Sequence, residues 1–556
     1  MKLVECVPNF SEGRDQSILD AISAQIKAVK NVTLLDVDPG ADTNRTVFTM
    51  VGDPQAVLEA AFQAIKVASE LIDMSKHTGA HARMGATDVC PFIPVANMHM
   101  SECVELSELL AERVGKELGI PVYLYEYSAS VPARQNLADI RAGEYEALPE
   151  KMKKPEWKPD YGPQEFNAKS GATVIGARDF LIAYNINLNT RDAKKATEIA
   201  NIIRERGTLK KNEQGKAVRD ANGNKVYEPG LFKYCKAVGW YIDAYQRAQI
   251  SMNLTNYHET PVHLVLEKVR ELAAQRGIIV TGSELVGLIP KEAIVLSGKY
   301  YHEKLSESAG LPDKLLIETA VQSMGLRDLT DFDINKKVIE YAIQSDNSLI
   351  KMKLDDFCDE LSTDSPAPGG GSVAALCAAV SASLTSMVAN LTINKKGYEF
   401  SWDESKFISE SAQKIKNDSL LAIDADTNAF YDMMAALRMP KTTDEEIKLQ
   451  KAMQEQATKE AILVPFKTIE LAHSAVLLAE EIAKRGNRNC LSDAGVAALA
   501  ADTAAKSAYL NVLINLSSSA DEVFNKDILE KAENIKNELE IIAKRVFDEV
   551  VKEIKK

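Results

Sequence analysis

Residues 364–394 read DSPAPGGGSVAALCAAVSASLTSMVANLTIN, and from Ser365 to Asn394 no residue carries a charge. A run of that length is long enough to cross a bilayer. Its composition points the other way: Ser372–Leu391 is built largely from Ala, Ser, Thr and Gly, with few large aliphatics. Small side chains on a neutral helix suit close packing inside a helical domain. Lys395, Lys396 and Tyr398 flank the far side, but no aromatic or basic anchor closely precedes the helix, so the spanning signal is one-sided. We read the run as a core helix and expect no membrane insertion.

Outward from that helix, the C-terminal texture is uniform. Ser372–Leu391, Glu410–Met434, Thr443–Ala483, Ala494–Leu516 and Asp527–Lys555 carry helix formers and Ala-rich apolar faces with no strand among them. Residues 351–556 therefore read as an all-α helical bundle. The polar segment 344–350 reads as a linker. Before it the texture is mixed α/β. Leu3–Val7, Val32–Asp36, Arg45–Val51, Pro121–Tyr127, Phe180–Leu188 and Gly277–Val280 read as strands, and Gln16–Ala28, Pro54–Ile72 and His263–Arg276 as helices. Interleaved elements with short connections predict an α/β sandwich. Residues 207–229 turn polar, with a turn signal at Asn222-Gly223, and read as an exposed hairpin or loop.

At 556 residues the chain exceeds one hydrophobic core, so it is multidomain. A net charge of −14 argues against a nucleic-acid partner, which would want a basic stripe. Any anionic substrate must find local basic contacts. Seven dispersed cysteines without a CxxC pair fit buried free thiols in a reducing compartment. The start, MKLVECVPNFSEG, lacks a cationic segment followed by an apolar core, so we expect a cytoplasmic protein.

Several constellations could carry chemistry. His77 and His81 stand four apart in DMSKHTGAHARMG, residues 73–85. Three readings stay open: a zinc pair, a structural histidine, or His81 as a general acid or base at a cleft. Thr78 occupies the position where a zinc protease motif needs Glu, and Gly79 weakens a helix there. Asp38, in LLDVDPG, is placed at a strand end, where it either shapes a turn or orients an imidazole. The loop Gly162-Pro163-Gln164-Glu165-Phe166-Asn167-Ala168-Lys169-Ser170-Gly171 offers an aromatic to stack on a flat ring and a cation for carboxylates, or is a plain connection. Gly369, Gly370, Gly371 and Ser372 open the neutral helix, either as a cap or as an anion-binding helix start. Asp424 and Asp426, two apart on a helix, face different ways and are not a cooperating pair. One of them, near Ile423 and Phe430, could hold its proton to neutral pH and act as an acid, or both lie on a solvated face.

Taken in order, LVECVPNFSEG (3–13), LLDVD (34–38), TNRTV (43–47), LIDMSKH (71–77), MGATDVCPFIPV (84–95), PVYLYEY (121–127), IRAGEYEALP (140–149), GARDFLIAYNINL (176–188), APGGGSVAA (367–375), DADTNAF (424–430) and YLNVLINL (509–516) resemble the formimidoyltransferase-cyclodeaminase family over nearly the whole chain. The polar 207–229 segment looks longer than in that family. The resemblance implies a transferase of two subdomains, 1–180 and 181–343, and a cyclodeaminase over 351–556. It implies transfer of a formimino group from N-formimino-L-glutamate to N5 of tetrahydrofolate. Closure to 5,10-methenyltetrahydrofolate with loss of ammonia would follow. By motif match His81 is the transferase acid/base, Asp426 the cyclodeaminase acid, and Gly162–Gly171 the folate-binding stretch. Polyglutamylated tetrahydrofolate is then a co-substrate, with no metal, in a homo-oligomer such as an octameric ring of dimers. The competing readings are a chain with one active half and a noncatalytic folate-binding scaffold.

Overall fold

The computed structural model describes residues 2–41, 44–79, 82–220, 223–329, 331–343 and 348–556, with only the backbone of Ala244. It divides into two compact units, Met1–Ala293 with Met324–Ile343, and Ile294–Ser323 with Gln344–Lys556.

The first unit opens with β1 (Leu3–Cys6), β2 (Asn9–Phe10), α1 (Gln16–Ala28), β3 (Val32–Gly40), β4 (Arg45–Gly52), α2 (Pro54–Leu71), β5 (Thr87–Ala96) and α3 (Met100–Glu117). Then come β6 (Val122–Glu126), α4 (Leu137–Ile140), α5 (Glu144–Lys151) and β7 (Thr173–Ala177). They form a seven-stranded mixed sheet in which β1 and β2 both lie between β4 and β5, with β3 outside β4 and β7 and β6 beyond β5. β7 runs parallel to β5 and β6, while the pairings of β1 to β4 are antiparallel. The helices start where the side chains allow. Asp15 accepts from Ser17 N at α1 and Asp53 from Ala56 N at α2, where Pro54 holds the first position. Strand alternation then sorts the residues. Val4, Cys6, Phe10, Phe48 and Phe92 pack with Leu19, Ile22, Ile65 and Leu110 into one core. On the opposite face Ile140, Leu148 and Met152 cover Tyr123, Tyr125 and Val174. The rest of that face is a cleft wall.

The remainder of this unit holds β8 (Ile182–Leu188), α6 (Ala193–Ile203), a short pair β9 (Thr208–Leu209) and β10 (Tyr227–Glu228), β11 (Cys235–Ile242), β12 (Arg247–Leu254), α7 (Val262–Ala274) and β13 (Val280–Val286). The sheet order is β11–β12–β8–β13, all antiparallel. α6 lies so close to β11 that a Cβ on Gly239 would sit 2.1 Å from Thr197 N. The polar 207–229 segment is a hairpin-like excursion, with bridges Lys211–Ala217 and Arg219–Lys225 beyond β9 and β10. Asn222 of its expected turn lies outside the described residues.

Two readings need correction. Asp38 is inside β3, not at its end: the strand runs on through Pro39 and Gly40, which pair with Thr46 and Arg45. β3 is an edge strand, where a proline without an N–H is tolerated. The strand expected at Gly277–Val280 begins only at Val280, because Gly277, at φ +67°, is still turning the chain out of α7.

The second unit takes up most of α8 (Lys291–Lys304) and α9 (Asp313–Met324). The one-turn helices α10 (Ile334–Lys337) and α11 (Ile339–Ala342) remain in the first. α12 (Leu354–Leu361), α13 (Gly370–Asn390), α14 (Trp402–Leu437), α15 (Asp444–Arg485), α16 (Leu491–Leu516) and α17 (Glu522–Ile554) follow. The C-terminal region is thus largely helical. Packing cuts across the compositional boundary at 344–350. Ser308 Oγ donates to Asn390 Oδ1 at 2.7 Å, and Asn390 Nδ2 donates to Gly310 O at 2.8 Å. Composition could not show which partner a short helical segment would choose. α13, α15, α16 and α17 meet through small side chains such as Ala374, Ala378, Ala472, Ala501 and Ala505, filled out by Ile462, Ile469 and Leu539.

By length and composition α13 and α15 could each cross a bilayer; 61% and 50% of their most apolar windows are buried inside the unit. Of the cysteines, Cys6, Cys90, Cys103, Cys235 and Cys490 are buried free thiols, Cys377 is half-buried, and Cys358 departs from the expectation by being exposed.

Candidate active sites

The sheet of β1–β7 and the sheet of β8 and β11–β13 wall a cleft of about 720 Å³ within the first unit. Its floor carries charge on strands that are otherwise apolar. Asp88, wholly buried on β5, accepts from Met84 N at 3.0 Å and from Arg141 Nε at 3.3 Å, and lies 3.9 Å from Arg45 Nη1. Arg141 Nη2 also bonds the same carboxylate. Arg45 Nη2 donates to Asn9 Oδ1 at 2.5 Å. Burial pulls the Arg45 guanidinium down to about 10, against the opposing pull of Asp88. Glu5, on β1, also faces the cleft and is 3% exposed. Burial pushes its carboxyl up to about 7, opposed by Arg178 and reinforced by Glu340. Asp88→Ala strands two guanidinium groups in a buried site. We expect it to cost about 3 kcal/mol of stability, read as an earlier urea-unfolding transition of the full chain.

A second, smaller cavity of about 420 Å³ is lined by His77, Thr78, Arg83, Glu144 and Glu146. His77 is engaged on both ring nitrogens: Arg83 Nε donates to Nδ1 at 3.2 Å, so Nε2 is the nitrogen that donates to Asn44 O at 2.9 Å. Arg83 is itself clamped by Glu144 at 2.8 Å and Glu146 at 2.6 Å. His81 lies outside the described residues. Asp38 is exposed on β3, opposite Val47 of β4.

The Gly162–Gly171 loop is pinned at several points. Lys169 O accepts from Met74 N at 2.9 Å, Ser170 O from Ala86 N at 2.8 Å, and Ala168 O from the Tyr145 hydroxyl at 2.6 Å. Phe166 leans on Tyr145 with ring centroids 5.5 Å apart, and Lys169 Nζ donates to Glu70 O at 2.7 Å. Gly162 and Gly171 both take positive φ, +81° and +67°, which explains the glycine at each end of the loop.

In the helical unit the structure brings together two motifs read separately. Asp426, half-buried on α14, meets the start of α13. A Cβ on Gly371 would lie 2.0 Å from Asp426 Oδ1, and Ser372 Oγ donates to Asp426 Oδ2 at 3.2 Å. Thr427 Oγ1 lies 3.2 Å from the same hydroxyl, and Asn511 of α16 borders Gly370. Burial raises the Asp426 carboxyl above the usual range, opposed by hydrogen bonds from the Ser372 side chain and backbone. Thus the group that meets this helix start is the chain's own carboxyl. Asp424 turns elsewhere and accepts from Ser348 Oγ and, at 2.7 Å, from Leu349 N. Gly371→Ala must displace Asp426 by an ångström or more. We expect about 100-fold loss of whatever reaction Asp426 serves, with no change in chemistry of the sheet unit, measured by assaying each activity separately.

The formiminotransferase domain, N-terminal subdomain, matches residues 3–178, the formiminotransferase domain 183–344, and formiminotransferase-cyclodeaminase 353–534. Formimidoyltransferase-cyclodeaminase of Mus musculus is 42% identical over 529 residues, covering 94% of this chain and 94% of that protein. The chain belongs to the formimidoyltransferase-cyclodeaminase family. Each half also has a shorter relative. Glutamate formimidoyltransferase of Streptococcus pyogenes serotype M1 is 45% identical over 300 residues, 54% of this chain and 93% of that protein. Methenyltetrahydrofolate cyclohydrolase of Methylorubrum extorquens is 36% identical over 197 residues, 35% of this chain and 95% of that protein. The formimidoyltransferase-cyclodeaminase breakpoint at 178–183 falls between β7 and β8.

Sequence reasoning did not single out Glu5, Arg45, Asp88, Arg141 or Arg178. The usable signal was a lone charge inside an apolar strand, as in LVECV and TDVCPFIPV, since such residues are seldom buried without a task.

Proposed function

We propose that the sheet unit transfers the formimino group of N-formimino-L-glutamate to N5 of tetrahydrofolate. The helical unit, an all-α bundle cyclodeaminase, then closes 5-formiminotetrahydrofolate to 5,10-methenyltetrahydrofolate and releases ammonia. The observation that carries this reading is the match of both halves, in order and in one chain, to a bifunctional relative over 94% of its length.

The chemistry requires an acid in each half. Attack of N5 on the amidine carbon gives a tetrahedral centre from which glutamate cannot leave as an anionic amide. A proton must reach its nitrogen, and we assign that to His81. Asp38 is the proposed orienting carboxylate. In the second step N10 attacks, ammonia departs, and Asp426 supplies the proton. Its burial, which favours the protonated form and outweighs the opposing Ser372 hydrogen bonds, supports the role. Gly162–Gly171 is the proposed folate-binding stretch, and the pinned loop geometry supports a fixed platform rather than a slack connection. Tetrahydrofolate is the co-substrate. A polyglutamate tail, a cytoplasmic setting and assembly into a homo-oligomer such as an octameric ring of dimers complete the proposal, which calls for no metal.

Full-length chain mixed with formiminoglutamate and tetrahydrofolate should produce methenyltetrahydrofolate, followed by absorbance, and ammonia in equal amounts. Neither product appearing would refute the assignment. The similarity of the helical half to a cyclohydrolase supports a second reading, in which that half hydrolyses methenyltetrahydrofolate. Supplying methenyltetrahydrofolate alone separates them, since cyclohydrolase activity consumes it without releasing ammonia.

A further inference from the structure

β1 places one carboxyl where an apolar side chain would be expected. Val4 and Cys6 point into the helix-backed core, and Glu5 between them points into the cleft. It is 3% exposed and makes no hydrogen bond or ion pair among the described residues. Taking a carboxyl out of water without a hydrogen-bond partner is costly, and the Arg178 charge offsets that cost only in part. An unpartnered acid aimed into a cavity of about 720 Å³ therefore marks a ligand contact.

The surrounding charges say what kind. Arg45 and Arg141 are already matched by Asp88. Arg178 donates only to a backbone carbonyl, Asp179 O, at 2.9 Å, and neither it nor Lys236 has an ion pair among the described residues. The cleft thus presents two cations free of close ion pairs, which Glu126 feels only at longer range, and in Glu5 one buried lining acid without a hydrogen-bond donor among the described residues. A ligand with carboxylates at one end and a planar pair of N–H groups at the other completes all three.

We propose that Glu5 receives a planar N–C–N donor pair of a substrate, each carboxylate oxygen accepting one N–H. This rests on the transferase reading above, which supplies two sources of that chemistry. One is the formamidinium of the donor; the other is the 2-aminopyrimidine edge of the pterin. Burial holds the empty-site Glu5 carboxyl at about 7, so binding of the donor pair selects its ionised form and releases a proton. Glu5 is then a specificity-determining residue: a neutral amide in its place keeps the size but turns one acceptor into a donor that opposes the ligand's own N–H.

The test is Glu5→Gln in the full chain, with transfer rates measured while each substrate is varied in turn and with N-formyl-L-glutamate as the neutral donor analogue. A charged hydrogen-bonded pair lost in this way should raise one KM by ~10- to 100-fold, while cyclisation of supplied 5-formiminotetrahydrofolate is unchanged. A raised KM for formiminoglutamate, with loss of the wild-type preference for it over the formyl analogue, assigns the amidinium. A raised KM for tetrahydrofolate alone assigns the pterin. Both KM values unchanged overturns the proposal. So does a lowered melting temperature with both KM values moved alike, the mark of a structural role. A wild-type chain without transfer activity is the failure of the transferase reading itself, visible before any variant is made.

Discussion

Asp426→Asn should lower the rate of cyclisation of 5-formiminotetrahydrofolate by ~100- to 10,000-fold, with transfer from formiminoglutamate left at the wild-type rate. The substitution keeps the volume that Gly371 was left bare to admit and replaces the acidic O–H by an amide that cannot give up its proton. The amino group on the tetrahedral carbon cannot leave as an amide anion and departs as ammonia only once protonated, so the loss falls on the chemical step and appears in kcat. The sign of the pH dependence follows from the same environment. The reactive form is the acid, and burial holds the Asp426 carboxyl above the ordinary aspartate value. Wild-type cyclisation is therefore at its plateau below that raised value and falls as pH rises through it. The falling limb should be missing in the variant's residual rate. Rates from pH 4 upward, with supplied intermediate, check both expectations.

The second large effect is expected at His81. His81→Ala should reduce transfer by ~100- to 10,000-fold and leave cyclisation of supplied 5-formiminotetrahydrofolate intact. The nearby histidine cannot substitute. His77 has Nδ1 taken by Arg83 and Nε2 by Asn44 O, so His77→Ala should perturb Arg83 and its clamp rather than remove the proton donor. Separate progress curves for the two partial reactions in the His81 variant decide the matter.

The helical half was largely legible because its signals are local. Expected spans such as Thr443–Ala483 and Ala494–Leu516 fall within two to three residues of α15 and α16, since heptad-like apolar spacing and end caps are written within one segment. The exceptions are α17, which begins at Glu522 rather than Asp527, and α14, which begins at Trp402 rather than Glu410, its first turns carrying Asp403 and Glu404 instead of an apolar stripe. The facing of Asp424 and Asp426 away from each other was also readable from helical geometry alone. What could not be read were the meetings. Asp426 lies more than fifty positions from Gly371, and the cleft gathers Glu5, Arg45, Arg141 and Arg178, with Asp88 paired to two of them, from segments spread over the first subdomain. Such clusters depend on strand order, and β1 lying between β4 and β5 is a tertiary fact. Likewise the pinning of Phe166 on Tyr145 needed α5 to be placed first.

We expect two acid groups to work independently, one in each half. The direct measurement is the mass and yield of the folate that accumulates when the full-length Asp426→Asn protein receives formiminoglutamate and tetrahydrofolate. The predicted result is 5-formiminotetrahydrofolate, with one glutamate formed per folate and no ammonia. Accumulation of methenyltetrahydrofolate, or recovery of unreacted tetrahydrofolate, would contradict it.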